Sequence, residues 1–115
     1  MIESQSELKE SIIRNWVTFK RVMPEVTALQ DAYSMEVYKD GVISGKHKRL
    51  MALVGALVSG CRGCILYQIE MALELGATVE EILEACTVAV SLGGTMASAQ
   101  SGRVVEFLTE KGLMD

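Results

Sequence analysis

The sequence predicts an all-α domain of about six helices that assembles with copies of itself. Three observations carry this expectation. One proline and few β-branched runs leave little to interrupt a helical backbone. Apolar residues recur at three- and four-residue steps along nearly the whole chain, the period of a helix with one buried face. Half of the 115 residues are apolar, more than so small a domain hides in its own core. The length allows one domain, residues 1–115, and burying helix faces against further copies is the simplest outlet for the surplus.

Each element has its own local signal. Ser4-Gln5-Ser6-Glu7 has the S-x-x-E form of a capping box and opens a first helix, on which Ile12, Trp16, Phe19 and Met23 make one stripe. Pro24 fits the first turn of a second helix, where its missing N–H costs nothing. Val26, Leu29, Tyr33 and Val37 line that helix, and Asp40-Gly41 ends it. Ser44 can cap a third helix whose residues Leu50 to Val58 are apolar on nearly every side, which makes it central or a subunit contact. Ser59-Gly60 punctuates the chain before a fourth helix through Ile65, Ile69, Ala72 and Leu73 to Gly76, with Tyr67, Glu70 and Glu74 on its wetter side. Thr78-Val79-Glu80-Glu81 is a second capping box, opening a fifth helix with Ile82, Leu83, Cys86, Ala89 and Val90 largely buried. Gly93-Gly94 then breaks or sharply bends the path, and a last helix runs from about Met96 to Glu110.

Composition narrows the function classes. A net charge of −4 argues against a general nucleic-acid binder. The apolar run from Leu50 to Cys61 is too short for a bilayer, which needs ~20 residues. The start of the chain, Met1 to Glu7, has no basic region followed by an apolar block, so a secretory leader is not expected and a cytoplasmic location follows. No membrane partner and no cofactor are expected. In that compartment three cysteines are not a structural disulfide framework, and a C-x-x-C pair reads as redox-active or metal-binding.

That pair is Cys61-Arg62-Gly63-Cys64, placed where the fourth helix begins. Unpaired N–H groups of a first helical turn favour thiolate over thiol, and Arg62 adds a positive charge between the sulfurs. One cysteine can attack a peroxide and become a sulfenic acid, which its neighbour resolves to a disulfide. A shared metal is the alternative, but a tetrahedral site would need Cys86, His47, acidic residues or a neighbouring subunit to complete it. The plain alternative is a buried, silent pair. Cys86 lies on an apolar face and reads as a small core residue. Lys46, His47, Lys48 and Arg49 crowd the first turn of the third helix, where cations oppose the macrodipole. They read as a solvated basic patch paired with surface carboxylates, or else as a site for an anion, such as the carboxylate of a small acidic substrate, or a partner. Twelve residues of straight helix put Arg49 ~18 Å from Cys61, so only a chain reversal or a neighbouring subunit brings it to the sulfurs.

From about Lys39 to Ala99 the sequence resembles the carboxymuconolactone decarboxylase-like superfamily, and within it the alkylhydroperoxidase AhpD-like branch. The resemblance rests on Lys48-Arg49-Leu50-Met51-Ala52-Leu53, Gly60-Cys61-Arg62-Gly63-Cys64 and Ala72-Leu73-Glu74-Leu75-Gly76-Ala77-Thr78. Glu80-Glu81-Ile82-Leu83-Glu84-Ala85 and Gly93-Gly94 complete it. It implies an all-helical fold assembled as a homotrimer, often stacked as a homohexamer. It also implies peroxidase (peroxiredoxin-like) or disulfide reductase chemistry at the two cysteines, with Cys64 attacking and Cys61 resolving. A lipoyl or thioredoxin-like dithiol would re-reduce them. Redox members show C-x-x-C-x-x-x-H and a glutamate twelve residues before the first cysteine, and those positions here are Gln68 and Arg49. Neither relays protons near neutral pH. Arg49 could still hold a thiolate, Gln68 could hydrogen-bond a sulfur, and Tyr67 is a poor base. A non-catalytic or redox-sensing oligomer and a decarboxylase-like lyase for a small acidic substrate are the other functions this resemblance allows.

Overall fold

A computed structural model describes residues 2–115. Met1, the first residue of the stretch on which the leader expectation rests, lies outside the described residues. The elements are α1 (Gln5–Val22), α2 (Pro24–Tyr38), α3 (Gly45–Ser59), α4 (Arg62–Glu74) and α5 (Val79–Glu110), with no strand among the described residues. The described residues form five helices rather than six because the Gly93-Gly94 break bends the path without ending it. Gly94, at φ 61° and ψ −140°, divides α5 into two arms. Side chains of L-residues rarely tolerate that conformation, and glycine does.

The core is built around α3. Leu53, Ala56 and Leu57 meet Ile65, Leu66, Ile69 and Ala72 of α4 and Ile82, Cys86, Ala89, Ala97, Val104, Phe107 and Leu108 of α5. Ser44 starts α3 as expected, its Oγ accepting the His47 N–H at 3.1 Å. Left-handed Gly60 ends it (φ 71°). Its N–H reaches Leu57 O at 3.3 Å while Cys61 N–H reaches Ala56 O at 3.1 Å. This paired closure satisfies two orphan carbonyls and turns the chain back on itself within two residues. Thr78 and Glu81 form the expected capping box at the start of α5, at 3.1 and 2.9 Å.

The start of α1 is closed differently from the capping box its sequence suggests. Ser4 Oγ accepts the Glu7 N–H at 3.2 Å. Glu110, from the far end of the chain, accepts the N–H groups of Gln5 (2.8 Å) and Ser6 (3.0 Å) and the Ser4 hydroxyl (2.8 Å). Nearby, Arg103 donates to Gln5 Oε1 at 2.5 Å and Glu3 Oε1 at 2.9 Å, a second tie between the two ends. Partial burial pushes the Glu110 carboxyl up, but the amides of Ser6 and Gln5 and the Ser4 hydroxyl outweigh it and hold the pKa at about 2. A carboxyl depressed in the folded state stabilises the protein above its unfolded pKa and ceases to do so as pH falls through its folded value. The stability gap between wild type and Glu110→Gln is therefore expected to be full above about pH 5 and to close toward pH 2, read by thermal melts across that range.

The α1 and α2 stripes are not covered within one chain. Among the described residues α2 packs only on α1 and α3, and Ile12, Trp16, Phe19, Met23, Val26, Leu29, Tyr33 and Val37 are all exposed, Leu29 and Tyr33 by 72% each. Of the fifth-helix residues, Ile82, Cys86 and Ala89 are buried while Val90 is exposed. The uncharged stretch Ala85 to Gly102 is longer than Leu50 to Cys61, and α5 is by length and composition able to cross a bilayer. Here it is the kinked core helix, with Ile82, Cys86, Ala89, Ala97 and Val104 buried in the core it forms with α3 and α4.

Candidate functional site

The reversal at Gly60 sets the cysteine pair at a helix start. Cys61 is the N-cap of α4, and its Sγ accepts the Cys64 N–H at 3.3 Å. The two are joined as a disulfide with their Cα atoms 5.2 Å apart. Cys64 is exposed and Cys61 partly so, so the pair is not a buried one. The pair is framed by two other helices. A Cβ at Gly63 would lie 3.2 Å from Ile12 Cδ1 of α1, and one at Gly60 would lie 3.6 Å from Met96 Sδ of α5. Neither neighbour has a sequence signal, since each acts by tertiary approach.

Arg62 does not stand between the sulfurs as a free charge. It pairs with Glu3 at 3.2 Å, and Glu3 also takes Arg103 at 2.9 Å. The Arg103 hydrogen bond, then the charges of Arg62 and Arg103, hold the Glu3 carboxyl below the usual carboxylate range against a partial desolvation.

The chain reversal does bring Arg49 back toward α4. Its Nη1 donates to Gln68 Oε1 at 3.2 Å, so the two positions that carry glutamate and histidine in redox members of the branch are joined to each other. The guanidinium carbon lies 3.6 Å from the centre of the Tyr38 ring and 5.6 Å from that of Tyr67. Among the described residues neither Arg49 nor Gln68 hydrogen-bonds a sulfur. Tyr67 is exposed. Tyr38 escaped sequence reasoning, because nothing in the spacing of an aromatic at the end of one helix and an arginine in the next shows that they stack.

The basic turn is not one solvated patch. Arg49 is buried, at 6% exposure. Lys46 pairs with Glu81 at 3.0 Å. Lys48 Nζ donates to the carbonyls of Val37 and Lys39 at 2.8 Å each, closing the end of α2. His47 Nδ1 lies 2.8 Å from Ser44 Oγ. Lys48 is thus committed to backbone, which removes it from the anion site that the sequence offered at Lys46 to Arg49. His47, Leu50, Met51, Val54, Glu81, Glu84, Ala85 and Val88 line an open groove of about 400 Å³ between α3 and α5, to which neither cysteine of the pair contributes.

Cys86 sits in the core as a free thiol. Burial pushes its pKa up, and the Ser101 hydroxyl only partly offsets this. No cluster of three or more His, Cys, Asp or Glu side chains suited to a metal occurs among the described residues. After reduction, alkylation of the native protein is expected at Cys61 and Cys64, with Cys86 modified only in denaturant, as read by peptide mass spectrometry.

Fold and site together define a class: a helical domain whose central helix reverses into a C-x-x-C pair capping the next helix. Residues 24–106 match the carboxymuconolactone decarboxylase family, and the chain belongs to that family. It is 29% identical to a carboxymuconolactone decarboxylase family protein of Legionella pneumophila, whose crystal structure superposes with a TM-score of 0.87 over 92% of this chain and 95% of that one. A family member from Thermotoga maritima, a candidate for the antioxidative response, is 36% identical with a TM-score of 0.68 over 73% and 87% of the two chains. Uncharacterized protein 4 in the cox locus of Paracoccus denitrificans is 34% identical over 79 residues, 69% of this chain and 71% of that one.

Proposed function

We propose that the protein is a thiol-dependent antioxidant oxidoreductase, reducing peroxides or disulfides through Cys61 and Cys64. The observation that carries this reading is the disulfide across the first turn of α4 with one of its two cysteines exposed. The Thermotoga maritima relative, a candidate for the antioxidative response, lends it support. In the proposed cycle the Cys64 thiolate attacks the terminal peroxide oxygen. A sulfur–oxygen bond forms as the O–O bond breaks, and the alkoxide leaves and takes a proton from water. The Cys61 thiolate then attacks the Cys64 sulfur, forming the S–S bond and expelling hydroxide, which is protonated to water. A lipoyl or thioredoxin-like dithiol reduces the pair by exchange and is itself oxidised to a disulfide. Arg49 and Gln68 contribute charge and hydrogen bonds in place of a proton relay, so protons come from solvent. Tyr67 stands beside them as a further supporting residue.

The setting proposed is cytoplasmic, with the chain in a trimer or hexamer. The uncovered faces of α1 and α2 support self-assembly. The test is peroxide loss in the presence of dihydrolipoamide. Turnover above the protein-free rate is expected, and a rate equal to background overturns the enzymatic reading. A second reading, a redox-sensing oligomer, is favoured by the Arg49–Gln68 pair at the relay positions. Reversible formation of the Cys61–Cys64 disulfide without turnover would select it.

A further inference from the structure

Two arginines are buried to nearly the same degree in this fold, Arg49 at 6% and Arg103 at 8% exposure. Arg103 is fully engaged, with Glu3 at 2.9 Å, Gln5 at 2.5 Å and Gln100 at 3.0 Å. Arg49 is not. It has one hydrogen bond, to Gln68 Oε1, and its buried Nε has no partner. No carboxylate lies within ion-pair distance of it among the described residues. A guanidinium stays charged at every pH the protein meets, and a buried charge without a counter-ion is costly. Stacking on Tyr38 at 3.6 Å supplies cation–π attraction but accepts no hydrogen bond.

Gln68, the hydrogen-bond partner of Arg49, links it to the helix that carries the thiol pair. Gln68 follows Cys64 by four residues on α4, so both project from one face of the helix a turn apart. With Oε1 taken by Arg49, the Gln68 amide turns its two remaining donors elsewhere. A fork of guanidinium N–H groups flanked by an amide NH₂ matches the two oxygens of a carboxylate.

We propose that Arg49 and Gln68 form a receptor for the carboxylate of an acidic substrate, which holds a carboxylate-bearing hydroperoxide against Cys64. The oxidation itself follows the steps given for the proposed redox function and rests on that reading. Carboxylate binding does not. The receptor replaces the proton-relaying pair of the redox branch with a substrate-selecting one: the chain gives up a relay and gains preference for anionic oxidants over neutral ones.

Binding is tested separately from turnover. Protein carrying both Cys61→Ser and Cys64→Ser is titrated with sodium benzoate by calorimetry. Saturable binding is expected, weakened by about tenfold or more in Arg49→Gln, the scale of a charged hydrogen bond lost. Arg49→Lys, which keeps the charge but loses the fork, is expected to fall between, and it decides the matter if Arg49→Gln does not fold. No saturable binding, or binding indifferent to both variants, overturns the receptor. So does a change in assembly mass in Arg49→Gln without benzoate binding in its parent, which would assign the guanidinium to a contact between copies. For selection, the rates at which a carboxylate-bearing hydroperoxide and its methyl ester oxidise the reduced protein with its cysteines intact are compared. The acid is expected to react faster in wild type and to lose that advantage in Arg49→Gln, and equal rates in wild type overturn the substrate assignment. If neither oxidant reacts, the redox reading fails while the benzoate titration still decides the receptor.

Discussion

Replacing Cys64 with serine is expected to bring dithiol-driven peroxide loss down to the uncatalysed rate. The hydroxyl of serine is not ionised near neutral pH, so the nucleophile is removed and the fold is spared. Cys61→Ser behaves differently. Its Cys64 still attacks, but no neighbour resolves the sulfenic acid, so a single turnover leaves a species trapped by a 1,3-dione and seen as an added mass on Cys64. Turnover with an external dithiol is then slow or absent. Sulfenic acid trapped at Cys61 in Cys64→Ser, with none in Cys61→Ser, would exchange the two roles. The exposed position of Cys64 against the half-buried Cys61 is the structural reason for the order given.

The largest effect on stability is expected at Leu57. It is fully buried in α3, and its carbonyl accepts the Gly60 N–H in the turn that presents the thiols. Leu57→Ala removes apolar contact and leaves a cavity between three helices, a loss of about 3 kcal/mol within the usual range of 2–5. In urea the midpoint should fall with an unchanged slope. Val42→Ala, in a fully exposed loop position, should stay within about 0.5 kcal/mol of wild type. Equal costs at the two positions would contradict the placement of the core.

Much of this architecture was legible because it is local. Ser44, Pro24, Gly60, Thr78 and Glu81 act within a few residues of themselves, through backbone donors and acceptors that any helix end leaves open. The apolar stretch of α3 left it either central or a subunit contact, and the structure buries Leu53, Ala56 and Leu57 in the core while Met51 stays exposed. The cysteine pair was legible for the same reason: three residues of helical rise fix where its sulfurs lie relative to one another.

Contacts between distant segments were not legible in this way. The stripes on α1 and α2 have helical spacing, which proves that a face wants cover but says nothing of what covers it. Among the described residues the stripes stay largely uncovered, Leu29 and Tyr33 by 72% each. Ser4-Gln5-Ser6-Glu7 has the form of a reciprocal box, yet Glu110 closes the helix from more than a hundred residues away. Lys46 to Arg49 look alike in sequence, but successive helical positions point in different directions. One lysine reaches Glu81, another caps α2, and the arginine goes into the protein.

By itself, then, the sequence determined most of the helix starts and stops and the placement of Cys61 and Cys64 at the start of α4, though not that α5 continues through Gly94 or that Glu110 closes α1. Those starts, stops and that placement depend on torsional preference, hydrogen-bonding capacity and period, all properties of neighbouring residues. Only the tertiary structure decided that Arg49 meets Gln68 and Tyr38, that Arg62 is taken up by Glu3, and that Ile12 and Met96 approach Gly63 and Gly60 in the turn that carries the thiols. Those contacts depend on which helix faces meet after the chain turns at Gly60, and apolar periodicity names the faces that seek burial without saying which other face each will find.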